Sequence, residues 1–252
     1  MTLGPRTPLI ERSQPWSAIK AALAAAQKSN RNAPAYSRWV NRPAGRVLAA
    51  TAYKLGLGPN AISLISAACT LTGIVLIATL RPSVPGGLLI TVLLVLGYAL
   101  DSADGQVARL QGGGTLAGEW LDHVLDAFKA AGFHLAVVIA WVQNPEGWPF
   151  WSVLVPLAFL LQATVFFFTL ILTDLLLRNA GVKKQVMAIE EARPPIWTSL
   201  LGIPVDYGFL CLTFLLWGWF PVWRWVYSAI AAAALLLLAA QLVRWYRRVS
   251  SS

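Results

Sequence analysis

Five of the eleven acidic residues in this chain, Asp101, Asp104, Glu119, Asp122 and Asp126, fall within twenty-six consecutive positions. Asp101 and Asp104 are three apart and Asp122 and Asp126 four apart, so on helices each pair occupies one face. Carboxylates gathered in this way repel unless they are protonated or neutralised by cations. Hard divalent cations such as Mg²⁺ and Mn²⁺ prefer oxygen ligands, and Mg²⁺ is commonly held by one or two carboxylates together with substrate phosphates. Two such ions about 3.5 to 4 Å apart clamp the attacking and leaving oxygens of a phosphoryl displacement. The cluster reads as phosphate chemistry.

Small residues accompany it. Gly105 follows Asp104, Ala108 lies one turn beyond, and Gly118 stands a turn before Asp122. Their missing side chains let a nucleotide approach the helix backbone, although helix packing would use them equally well. Arg109 offers a planar fork for phosphate oxygens, or an anchor at the membrane interface. His123 lies about 100° around the helix from Asp122, where it either moves a proton or bonds to a neighbouring helix. Lys129, three residues after Asp126, pairs with an acidic acceptor or neutralises Asp126. Asp206 either lines an acceptor cavity or makes a helix-helix hydrogen bond, and Asp174 with Arg178, four apart, reads as a local ion pair.

These residues must be carried by elements of a membrane protein. The 252 residues are 57% hydrophobic and only 12% charged, against about 25% charged in a soluble domain. A hydrocarbon core about 30 Å thick needs about 20 apolar residues of helix. Six stretches are expected to meet that need, near 61–80, 86–108, 116–142, 150–177, 197–218 and 222–243. The last break, a tight turn near Gly218 to Pro221, is the weakest of the separations. The aspartates then sit in the second and third spans, and carboxylates are costly enough at that depth to imply function. The Gln111 to Thr115 turn makes those two spans antiparallel and brings the pairs together.

The predicted class is an all-α integral membrane protein: an N-terminal extension over 1–60, a six-helix catalytic domain over 61–243 and a short tail over 244–252. In the extension Trp16, Ile19, Leu23 and Ala26 recur at helical spacing with Lys20 and Gln27 turned away, as in a helix lying at the headgroups. A second such element runs through Tyr36, Trp39 and Val40. Trp151, Trp217, Trp219, Trp223 and Trp225 group at span ends as an interfacial belt. Cys69 and Cys211 lie in apolar runs and read as buried hydrophobes. With the N-terminus cytoplasmic, seventeen of the twenty Lys and Arg residues face that side, and only Arg81 and Arg224 face the other. The positive-inside rule then places both termini and the site at the cytoplasmic face. The net charge of +9 clusters beside apolar segments, which points to anionic headgroups and not to nucleic acid.

The run Asp101-Ser-Ala-Asp104-Gly105-Gln-Val-Ala108-Arg109, eight further residues, and Gly118-Glu-Trp-Leu-Asp122-His-Val-Leu-Asp126 resembles the signature of CDP-alcohol phosphotransferases, D-x₂-D-G-x₂-A-R-x₈-G-x₃-D-x₃-D, at all eight specified positions. The resemblance implies a CDP-linked donor held near Gly105, Ala108, Arg109 and Gly118, and two divalent cations, Mg²⁺ or Mn²⁺, on Asp101, Asp104, Asp122 and Asp126. It also implies Asp126 as general base, release of CMP, and a homodimer. Pro59-Asn60 and Ser63 resemble the family's T-P-N-x-x-[ST] stretch, with Gly58 in place of Thr, though a helix N-cap and a first-turn polar residue explain Asn60 and Ser63 as well. Gly118 to His123 is similar to the G-E-L-F-D-H run of choline and ethanolamine phosphotransferases.

Small six-helix members often move a phosphatidyl group from CDP-diacylglycerol to a water-soluble alcohol in phospholipid biosynthesis. That is the expected reaction here, in a bacterial cell membrane, with a CDP-linked small alcohol donating to a lipid alcohol as the alternative. A proton-coupled carrier would also bury carboxylates, but the sequence has no evident inverted repeat.

Overall fold

The structure is a computed structural model that describes residues 8–26, 34–145, 147–181, 199, 202–203 and 206–251. Among these there are helices and turns but no strand. The helices are α1 (Trp16–Ala25), α2 (Arg42–Lys54, entered through a π-helical turn, Ser37–Asn41), α3 (Pro59–Thr79), α4 (Val84–Leu110), α5 (Leu116–Gln143) and α6 (Leu154–Asn179, entered through a 3₁₀ turn, Phe150–Val153). A short α7 (Tyr207–Leu212) runs through a 3₁₀ segment (Thr213–Trp219) into α8 (Phe220–Ser250).

Among the described residues five stretches are long and apolar enough to cross a membrane, the last being Tyr207–Ser250 with 44 residues. That last stretch is not straight. Backbone leaves helical geometry at Trp219 (φ −112°, ψ 64°), and Trp223 Nε1 donates to Thr213 Oγ1 at 3.2 Å. Ten residues of straight helix would separate the two by about 15 Å, so the chain turns back where the Gly218 to Pro221 break is predicted. The predicted span 197–218 lies partly outside the described residues, as do Gln27 and most of the 178–195 break.

Local sequence sets the ends. Pro59 opens α3 after Gly58, which is the N-cap, so Asn60 is not the cap and Ser63 stands in the second turn. Ser83 caps α4 by accepting from the Gly86 amide at 3.2 Å, and Thr115 caps α5 by accepting from the Gly118 amide at 2.9 Å. Between α4 and α5 the chain reverses through Gly112 and Gly113, at φ 84° and 114°, a region open to glycine and strained for other residues.

α3 is the shared support, packing against both α4 and α5. At Gly97 on α4 the helices approach so closely that a Cβ would lie 2.1 Å from Thr70 Oγ1 and 3.1 Å from the Ser66 carbonyl, while Ser66 Oγ donates to the Gly97 carbonyl at 2.8 Å. Small residues and interhelical hydrogen bonds of this kind hold membrane helices together where lipid offers no hydrophobic drive.

One expectation is corrected. Trp217 and Trp223 are 0% exposed and pack with Phe214 and Tyr227 in the core, because the turn at Trp219 folds the 3₁₀ segment onto α8; Trp151, Trp219 and Trp225 do remain exposed. Arg224, at the end of the bundle away from the acidic residues, is 1% exposed. It donates to the Trp141 carbonyl at 3.0 Å and to the Asn144 carbonyl, and lies 4.8 Å from the Trp141 ring centre and 4.6 Å from that of Phe220. The negative end of α5 and the ring faces together provide for the buried guanidinium. In the extension, Ile19 and Leu23 are covered by protein, packing with Ala49, Tyr53 and Val107, whereas Trp16 stays partly exposed.

The molecule thus has two distinct ends. One joins the Val84 and Gly218 turns and the Arg224 contacts. The other joins Leu9 to Leu110 and Glu119 to Arg178.

Gly97→Ala is expected to destabilise the bundle by about 1–3 kcal/mol through overpacking, read as a lower melting temperature in detergent. Gly132→Ala, whose Cβ would meet only Ile74 at 3.8 Å, is expected to melt like the parent; equal melting of both variants would refute the close α3–α4 contact.

Candidate active site

Asp101, on the last turns of α4, and Asp122 and Asp126, on the first turns of α5, converge from separate helices. One oxygen from each of the three carboxylates lies within 4.8 Å of the others, and all three side chains are half-buried. Asp104, 6% exposed, lies outside that group: Ser63 Oγ on α3 donates to its Oδ2 at 2.5 Å. Ser63 also donates to the Pro59 carbonyl at 3.1 Å, so the start of α3 is tied to the acidic face of α4.

Lys129 is the counter-charge inside the cluster. Its Nζ donates to Asp101 Oδ1 at 2.5 Å and to Asp126 Oδ1 at 3.1 Å, and the residue is only 8% exposed. Of the readings open in the sequence, neutralisation of Asp126 is the one realised, with Asp101 added. Among the described residues Lys129 is the ammonium that meets Asp101 and Asp126. The donor set, hard oxygens brought together from two helices, fits a divalent cation.

Asp122 and Asp126, together with Asp104, line a cavity of about 1470 Å³. Gly105, Ala108, Arg109, Gly118, Asn60, Ser63 and His123 all line it. A Cβ on Gly118 would stand 3.1 Å from Asn60 Oδ1, and one on Gly105 would stand 3.5 Å from Arg109 Nη1, so both glycines keep a notch open between the start of α3, α4 and α5. Arg109 Nε is buried with no hydrogen-bond partner among the described residues. A buried donor of that kind costs free energy unless a ligand satisfies it.

The mouth is tied shut on one side by ions. Arg178 Nη1 on α6 meets Glu119 Oε1 on α5 at 2.6 Å, and Arg178 also pairs with Asp174 through Nε at 2.6 Å. The local Asp174–Arg178 pair is as predicted; the link to Glu119 is not visible in one-dimensional spacing, since the two residues are 59 positions apart. His123 Nε2 lies 3.8 Å from Glu119 Oε1.

A profile of the CDP-alcohol phosphatidyltransferases matches residues 57–245 of this chain. The chain belongs to that family. A comparison with curated proteins found no match. The protein is therefore a membrane transferase of substituted phosphate groups, moving a phosphate-linked group from a CDP-alcohol to an alcohol. The family typically depends on divalent cations, and the acidic cluster is a group that could hold them.

Asp206 does not line the cavity. It is 2% exposed and accepts from the amides of Tyr36 at 2.7 Å, Ser37 at 3.3 Å and Gly208 at 3.1 Å, capping α7 while fastening the entrance of α2 to it. The sequence reading missed the contributions of Pro8, Glu11, Arg12 and Tyr53 to the cavity wall. No motif marks them, and only the fold brings the extension to the site.

Lys129→Met removes the ammonium that bridges Asp101 and Asp126, so the variant is expected to melt below the parent in EDTA and to gain more from added Mn²⁺ than the parent does. Equal gains in both proteins would show that Lys129 and the cation do not serve the same carboxylates.

Proposed function

We propose that this enzyme transfers a phosphatidyl group from CDP-diacylglycerol to a water-soluble alcohol at the cytoplasmic face, releasing CMP. The observation that carries the reading is the composition of one cavity: Asp104, Asp122, Asp126 and Arg109, whose Nε has no partner among the described residues, share it with an apolar wall, Phe167, Leu170 and Ile171 of α6. Phe167 and Ile171 also border an apolar groove of about 340 Å³ between α5 and α6. A donor that joins a pyrophosphate to acyl chains matches that continuity. The reverse arrangement, a CDP-linked small alcohol and a lipid acceptor, draws its support from the Asp122-His123 pair.

Asp101, Asp122 and Asp126, with Asp104 beside them, would hold the divalent cations. Bound there, such cations supply Lewis-acid stabilisation of phosphate charge. The gap at Gly105, Ala108 and Gly118 admits the CDP group close to the backbone, with Asn60 on its far side. Arg109 neutralises phosphate oxygens through its fork. The acceptor hydroxyl attacks the β-phosphorus and passes its proton to the carboxylate of Asp126, which Lys129 orients through Oδ1. CMP departs with the electron pair of the broken P–O bond. Positioning and charge complementarity supply most of the rate. The homodimer implied by the family and the cytoplasmic placement of both termini belong to the same proposal.

Purified enzyme given labelled CDP-diacylglycerol, Mg²⁺ or Mn²⁺ and a panel of inositol phosphate, glycerol phosphate and serine is expected to release CMP and form one new lipid. Excess EDTA is expected to stop it. Turnover only with a CDP-linked polyol and diacylglycerol would reverse the donor assignment.

Asp126→Asn is expected to bind the donor yet lose about 10² or more in turnover, the typical weight of a general base, while His123→Ala keeps most of its rate. The opposite ranking in single-turnover assays would move the base to His123.

A further inference from the structure

Residues 8–12 lie outside the stretch that matches the family, yet Pro8, Glu11 and Arg12 line the same cavity as the aspartates. The segment is pinned at two points. The Leu9 amide donates to the carbonyl of Leu110, the last residue of α4, at 2.8 Å, and the Tyr53 hydroxyl on α2 donates to the Ile10 carbonyl at 2.6 Å. Tyr53 is itself 1% exposed, so the second pin is anchored in the core formed with Ile19 and Leu23.

Beyond these pins Arg12 lies with its guanidinium carbon 5.4 Å from the centre of the Tyr53 ring. A Cβ on Gly56 would stand 3.3 Å from Arg12 Nη1, so a side chain in the turn before α3 would crowd the guanidinium.

The three arginines of the cavity are not equivalent. Arg178 is committed to Glu119 and Asp174, and Arg109 stands beside Gly105 next to Asp104. Glu11, the acid beside Arg12, accepts from Ser13 Oγ at 3.1 Å. Arg12 is exposed, and among the described residues its one contact is the Tyr53 ring. A pyrophosphate brings more negative charge than Arg109 alone offsets. Arg12 lines the same cavity as Gly58, Pro59 and Asn60, and Asn60 faces the Gly118 notch.

We propose that residues 8–12 form a strap across the nucleotide side of the cavity and that Arg12 binds the anionic part of the CDP donor. The inference rests on the placement of the CDP group in the notch at Gly105 and Gly118. Tyr53 acts at one remove: it is a positioning residue that fixes the strap and offers the ring on which the guanidinium lies.

The test uses full-length enzyme in detergent with Mn²⁺, reading the KM of the CDP donor, the KM of the acceptor, kcat, and calorimetric binding of CDP. Loss of one charged contact in Arg12→Ala is expected to raise the donor KM and the CDP Kd about ten-fold, with kcat and acceptor KM within about two-fold. Arg12→Lys should recover part of the loss, and Tyr53→Phe, which keeps the ring and drops the pin, should raise the donor KM by a smaller factor. Parental donor KM and CDP affinity in Arg12→Ala, or a shift confined to the acceptor KM, would overturn the assignment. Gly118→Val separates this from the underlying placement: if it binds CDP as the parent does, the notch is not the nucleotide site, whatever Arg12 does.

Discussion

Placing carboxylates inside a membrane span is the constraint on which the rest of this structure depends. Charge at that depth is expensive and is retained only where it is paired or in contact with a polar cavity. Here both remedies are used. Lys129 holds Asp101 and Asp126 from one side, and Ser63 holds Asp104 from another helix. Asp104, Asp122 and Asp126 face a cavity of about 1470 Å³. The site needs three helices to exist at all, because α4 and α5 bring the acids while α3 braces both.

The two ends of the bundle divide the work between holding and opening. At one end Arg224, Trp141, Phe220, Trp217 and Trp223 form a closed polar-aromatic knot that joins the end of α5 to the start of α8. A buried cation is tolerated there because carbonyls and ring faces surround it. At the other end glycines replace side chains, Arg109 keeps a buried donor without a partner, and the helices part around the cavity. The Glu119–Arg178 pair bridges α5 and α6 across that opening. An open active site of this kind is stable because the opposite end is packed tightly, with Gly87 and Gly218 letting the 3₁₀ segment lie directly on α4.

Much of this was legible in one dimension. The acidic pairs at helical spacing and the apolar runs between polar breaks determined a membrane protein suited to phosphate chemistry, since periodicity and side-chain chemistry are local properties, and the resemblance carried by the motif from Asp101 to Asp126 implied the CDP-linked substrate. Caps at Ser83 and Thr115 and the glycine turn between them were equally local. What only the tertiary structure decided concerns partners far apart in sequence. It gave Asp104 a partner in Ser63, set Asp206 to cap α7 while holding the Tyr36 segment, and buried Trp217 and Trp223 instead of leaving them at the interface. It also set the N-terminal strap against the cavity. Spacing along a chain says which face of its own helix a residue occupies, but the partner that neutralises or covers that face is chosen by how helices pack, and packing is a property of the whole bundle.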